Sequence, residues 1–181
     1  MGKIRIIGGI HRSRQLPVLD SPDLRPTLDR VKETVFNWLG QDLTGKSCLD
    51  LFAGSGSLGF EALSRNAAEV VMVEKIPIVA KQLLSYCELL KTTICQVLVA
   101  DAQSFLTQST KKFDVIFLDP PYNSDLLTQV LAQILPHLSA AGVCYIEYET
   151  APNLDEFSVI KSAKAGKVHY ALIRPQVLEE I

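Results

Sequence analysis

Two hydrophobic rhythms divide the chain near Lys46. Before it, Ile4–Gly8 alternates weakly and stops at Gly8-Gly9, and Arg14–Val18 reads as a returning strand, so a small hairpin is predicted. Asp20–Pro26 is rich in turn formers. Leu28, Val31, Val35, Phe36 and Leu39 then recur at helical spacing with Gly40 as a stop, which predicts a helix near 28–39. After Lys46, short and nearly uninterrupted apolar runs alternate with helical stretches. The runs are Ser47–Phe52, Glu69–Val73, Gln96–Val99, Asp114–Leu118 and Val143–Glu147, with helices near 57–65, 77–90, 101–108 and 125–136. Strands that are apolar on both faces and separated by helices predict an α/β class, with a doubly wound, mostly parallel sheet covered on both sides. Phe157–Ser162 and Val168–Ile173, joined through Gly166-Lys167, predict a C-terminal antiparallel hairpin.

With 181 residues and neither a repeat nor a low-complexity tract, one domain is expected. Its parts are a hairpin extension over 1–20, a helix segment over 21–45 and a core over 46–181. At 48 % hydrophobic and 21 % charged, the composition excludes general disorder. Cys48, Cys87, Cys95 and Cys144 are scattered without metal-ligand spacing, so reduced thiols are expected, with no metal site and no disulfide framework. No run reaches the roughly 18 apolar residues of a membrane span, and the first residues lack a signal-peptide core. A cytoplasmic protein without a membrane partner is the expectation.

A net charge of −2 gives by itself no sign of a nucleic-acid partner. Its distribution changes that. Residues 1–46 carry a net +3 and residues 47–181 a net −5. Lys3, Arg5, Arg12 and Arg14, with His11 and no acid among the first 14 residues, make an arm able to follow a phosphate backbone. A solvated basic face is the competing reading.

Leu49–Gly59 joins the first core strand to its helix, and Gly54, Gly56 and Gly59 form G-x-G-x-x-G, with Glu74 ending the next strand. Taken bare, this is a dinucleotide fingerprint. Asp50, four residues before the first glycine, argues otherwise: a carboxylate facing the pocket repels a pyrophosphate and favours an ammonium group. S-adenosylmethionine carries an ammonium and a sulfonium and no phosphate. The candidate loop is Asp50, Phe52, Ala53, Gly54, Ser55, Gly56, Leu58 and Gly59, followed by Glu74 and Lys75, with Glu74 placed to accept from ribose hydroxyls. Asp101 and Ala102 follow the third core strand, where Asp101 either accepts from an adenine amine or caps a helix. A tight turn without ligand and a nicotinamide-type site are the alternatives.

Asp119-Pro120-Pro121-Tyr122 ends the fourth core strand, beside the first in a doubly wound sheet, where ligands bind. Asp119 and the Pro120 carbonyl are two acceptors for an exocyclic NH₂, Pro121 removes a donor and stiffens the corner, and Tyr122 offers a face for an unstacked base. Gripping both amine hydrogens aims the nitrogen lone pair at a sulfonium methyl, for in-line displacement without a dedicated base. An ordinary Pro-Pro turn is the competing reading.

Together with Ile4–Gly9, Arg12, Arg14, Leu24–Thr27, Asp29–Leu39 and Glu61–Arg65, these motifs resemble the bacterial 16S ribosomal RNA guanine-N2 methyltransferases, dependent on S-adenosylmethionine, over residues 4 to about 148. The resemblance implies a seven-stranded Rossmann-like methyltransferase sheet and an N-terminal hairpin that engages RNA. It also implies methylation of one guanine of small-subunit ribosomal RNA, on an assembled or assembling 30S subunit, by a monomer. By position, Arg25, Pro26, Thr27 and Arg30 would close over the cofactor or order the target loop; Thr27 as a helix N-cap and Arg30 as a surface charge are the plainer roles. An adenine-N6 methyltransferase and a non-catalytic nucleotide-binding module are the competing functions. Two departures stand out: Ser13 where the family usually has a glycine, and Tyr86 where an asparagine is expected. Trp38 is expected in the core, and His11 and Lys111-Lys112 in solvated loops.

Overall fold

A computed structural model of the chain describes residues 2–19, 28–122 and 125–176. Arg25, Pro26 and Thr27 lie outside the described residues. Strands β1 (Lys3–Arg5) and β2 (Gln15–Pro17) form the N-terminal hairpin, followed by α1 (Asp29–Trp38). The core then runs β3 (Ser47–Asp50), α2 (Ser57–Ser64), β4 (Glu69–Glu74), α3 (Pro77–Leu89), β5 (Cys95–Val99), α4 (Ala102–Gln108) and β6 (Phe113–Leu118). It finishes with α5 (Leu126–Ile134), a 3₁₀ turn at Leu135–His137, β7 (Leu138–Tyr148), β8 (Phe157–Ala165) and β9 (Val168–Pro175).

The seven core strands are ordered β5-β4-β3-β6-β7-β9-β8. β5 through β7 are parallel, and β9 and β8 add the antiparallel end. The expected fold class therefore holds. Side chains alternate between two cores. Cys48, Val70, Met72, Phe117, Tyr145, Tyr170 and Leu172 face α1, α2 and α3, whereas Leu49, Val71, Val73, Ile116, Ile146 and Ile173 face α4 and α5. This double burial is why these strands read as unbroken apolar runs.

The hairpin belongs to the first core: Ile4, Ile6, Leu16 and Val18 are buried there with Val31, Val35 and Phe36 of α1. Its strands are shorter than predicted because Gly8 and Gly9 leave the ladder to press against the end of α2. A Cβ on Gly9, whose φ is +77°, would sit 1.8 Å from the Ser64 carbonyl oxygen. The helix after the turn begins at Asp29 with Leu28 before it. Trp38 stacks on Tyr170 at 5.4 Å, as a core residue.

Candidate functional site

Parallel register fixes what meets at the carboxyl edge. Asp50 pairs with Met72 on one side and Phe117 on the other, so Phe52, Glu74 and Asp119, each two residues further on, leave the sheet at one level. Glu74 pairs with Val99, which places Asp101 two residues beyond it. Side-chain alternation also sets the face. Asp50 follows Cys48 by two, Glu74 follows Met72, and Glu147 follows Tyr145, so these carboxylates point to the side of the sheet that carries α1, α2, α3 and the hairpin.

The glycine loop is held from below by two of these carboxylates. Gly54 and Gly56 have φ of +53° and +81°, the left-handed region that glycine enters without strain. Glu74 accepts the Gly54 N–H at 2.9 Å with one oxygen and the Ile76 N–H at 2.9 Å with the other. Each oxygen keeps a second lone pair, so ribose hydroxyls can still be accepted. Asp50 departs from expectation: it is 2 % exposed and accepts the Gly59 N–H at 3.0 Å, so its carboxylate faces the first turn of α2. Burial first, then the neighbouring Glu74, pushes its carboxyl up from 3.8 to about 7, against the Gly59 hydrogen bond.

Asp101 is exposed and caps α4: its carboxylate accepts the Ser104 N–H at 3.0 Å and the Ser104 hydroxyl at 2.7 Å. These bonds hold its carboxyl below the ordinary range. Of the remaining loop candidates, Ala53, Leu58 and Ala102 are core residues, Ser55 is buried, Phe52 is half-buried and Lys75 is exposed. Ser57 Oγ, at the start of α2, is buried without a hydrogen-bond partner among the described residues. Three carboxylates at successive strand ends suit hydroxyls, an amine and a cation, and are a poor match for a pyrophosphate. That set of acceptors is chemically compatible with S-adenosylmethionine, which carries hydroxyls, an amine and a cation and no phosphate.

At the corner, Pro120 is buried, Asp119 and Tyr122 are half-buried and Pro121 is exposed. The Tyr122 hydroxyl donates to Glu147 Oε2 at 3.0 Å, and the Tyr145 hydroxyl donates to Glu147 Oε1 at 2.5 Å. Sequence reasoning passed over Glu147. Its one signal, a charge ending an apolar strand, becomes meaningful only once the β6–β7 register sets it level with Asp119.

The basic arm is latched to the body by residues that no local sequence signal marks for that role. Glu61, buried on α2, accepts the Ile7 and Gly8 N–H groups at 3.0 and 2.9 Å and Arg65 Nε at 2.9 Å. Lys32 Nζ donates to the Arg5 carbonyl and lies 3.5 Å from Glu61. Ser64 Oγ donates to the Gly8 carbonyl and accepts the His11 N–H. Tyr86 donates its hydroxyl to the Pro17 carbonyl and packs edge-on against Phe60, so this departure ties the hairpin to α3. Lys3, Arg5, Arg12, Arg14 and Arg30 are exposed; Lys3 reaches Gln15 and Arg5 pairs with Asp29 at 2.8 Å. Partial burial, then Arg14, lowers the His11 imidazole.

The family model described as Conserved hypothetical protein 95 matches residues 4–174. Ribosomal RNA small subunit methyltransferase D of Escherichia coli K12 is 40 % identical over 99 % of this chain and 93 % of its own length. The Haemophilus influenzae protein of that name is 43 % identical over 94 % and 93 %. The solved structure of yhhF from Escherichia coli matches with a TM-score of 0.88 at 38 % identity, covering 97 % of this chain and 99 % of that one.

Proposed function

The chain belongs to the ribosomal RNA small subunit methyltransferase D family, and from that premise we propose that it transfers a methyl group from S-adenosylmethionine to the exocyclic N2 of one guanine in small-subunit ribosomal RNA. The observation that carries this reading is the placement of the glycine loop and Asp119 at the carboxyl ends of the adjacent parallel strands β3 and β6. An enzyme acting on a base extruded from RNA needs a stacking platform and amine acceptors beside the methyl donor.

Asp50 and Glu74 shape the glycine loop, and Glu74 and Asp101 offer acceptors for a nucleoside. Asp119 and the Pro120 carbonyl accept the two amine hydrogens of the target, and Tyr122 stacks beneath its ring. When bound, S-adenosylmethionine supplies a methyl on positive sulfur: the N–C bond forms as the S–C bond breaks, and the amine proton passes to Asp119 or water. Lys3, Arg5, Arg12, Arg14 and Arg30 neutralise phosphates around the target. The enzyme works as a monomer in the cytoplasm on assembled or assembling 30S subunits.

The test incubates 30S subunits lacking the modification with the protein and labelled methyl donor, then identifies the product nucleoside. N2-methylguanosine is expected. Label recovered as N6-methyladenosine would overturn the base assignment.

A further inference from the structure

Glu147 lies at this edge, level with Asp119, and its carboxylate is held by two phenols. It ends a core strand, is 7 % exposed, and has each oxygen engaged by a different tyrosine. One of these, Tyr145, is immobile: it is fully buried, lies edge-on to Phe117 at 6.3 Å, and packs on Tyr170, which stacks on Trp38. Burial and the adjacent Glu147 keep the Tyr145 phenol protonated far above its usual range, so its hydroxyl remains a donor. The other, Tyr122, belongs to the corner and is half-buried. Glu147 therefore bridges a fixed phenol in the core to a phenol in the site.

Stacking a base needs only the face of the Tyr122 ring, which phenylalanine would offer equally. The hydroxyl has a separate use, because a hydrogen bond at the ring's far end fixes the swing of the side chain and so where the ring lies in the corner. We propose that Glu147 is a positioning residue, held by Tyr145, that sets the Tyr122 ring so that a stacked guanine presents its amine to Asp119. This rests on the guanine-N2 reading above.

The test is single-turnover methylation of unmodified 30S subunits by Tyr122→Phe, Glu147→Gln, Glu147→Ala and the Tyr122→Phe/Glu147→Ala pair. Product nucleosides are identified in every reaction. Tyr122→Phe and Glu147→Ala should each lower the maximal rate about tenfold, with half-saturating subunit and cofactor concentrations unchanged. Glu147→Gln, which keeps one acceptor oxygen, should fall between wild type and Glu147→Ala. The pair should be no slower than the slower single variant, because both act through one hydrogen bond. A wild-type rate in Tyr122→Phe, multiplicative losses in the pair, or a loss confined to subunit affinity would overturn the proposal. If Glu147→Ala does not fold, Tyr122→Phe and Glu147→Gln still decide it. A product other than N2-methylguanosine from the wild type overturns the function instead, while the variant rates still report on the coupling.

Discussion

Glu61 and Lys32 meet inside the protein with their charged atoms 3.5 Å apart and almost no exposure to solvent. Lys32 is consequently depressed by desolvation, with Glu61 opposing that shift. Glu61 also holds Arg65 and two hairpin amides, so one carboxylate joins α1, α2 and the arm. Removing it strands Lys32 and Arg65. Glu61→Ala should cost about 3–5 kcal/mol in denaturant unfolding, with faster amide exchange at Ile7 and Gly8. A loss below about 1 kcal/mol would show that the latch is not structural.

Ser13 adopts φ +70°, where a side chain is strained, while its N–H donates to the Ile6 carbonyl. Glycine adopts this φ without strain. Ser13→Gly should stabilise the protein by about 0.5–1 kcal/mol, after allowing for the greater freedom of glycine in the unfolded chain. A lower thermal midpoint in Ser13→Gly would contradict that account.

Asp50 makes binding and stability depend on pH in opposite directions. Its folded value of about 7 lies above the ordinary 3.8, so between those values the native state holds a proton that the unfolded chain has released. Stability from this group is full below about pH 4 and declines as pH rises to about 7. Asp50→Asn should flatten that decline. A cationic cofactor favours the ionised form, so its binding should tighten toward pH 7 and release up to one proton. Calorimetry in two buffers of different ionisation enthalpy measures this, and proton uptake would be the contrary result.

In the two-acceptor mechanism proposed above, Asp119 holds the target amine and other residues hold the cofactor. Asp119→Ala should reduce turnover to background while S-adenosylmethionine binding, measured by calorimetry, is unchanged. Persistent turnover would exclude the two-acceptor mechanism.

Arg12 and Arg14 are exposed on the latched arm. Replacing both with alanine should weaken RNA binding and lower the slope of log affinity against log salt by about 2. An unchanged slope would place the phosphate contacts elsewhere.

The order of elements was legible because β3, β4 and β6 are buried on both faces and their helices carry clear periodicity. β7 was not. It begins at Leu138, before the predicted Val143, and Ser139–Gly142 carries no hydrophobic signal. Those residues belong to a strand only because Phe113 pairs with Leu138 and Val115 with Val143, the extra residues forming an irregularity between them. A Cβ on Gly142 would lie 3.0 Å from the Phe113 carbonyl oxygen and 3.0 Å from the Ser139 nitrogen, closer than ordinary contact.

The chain's own pattern was enough for the parallel α/β class, the glycine loop, the Asp119–Tyr122 corner and the basic arm, since each is a local matter of residue type and spacing. It was silent on the inward turn of Asp50, the latch at Glu61 and the tyrosine pair on Glu147. Those depend on strand register and on groups as far as 54 residues apart meeting in a buried place. Whether a carboxylate faces water, a backbone amide or a phenol is settled by what packs around it, and no local sequence signal records that.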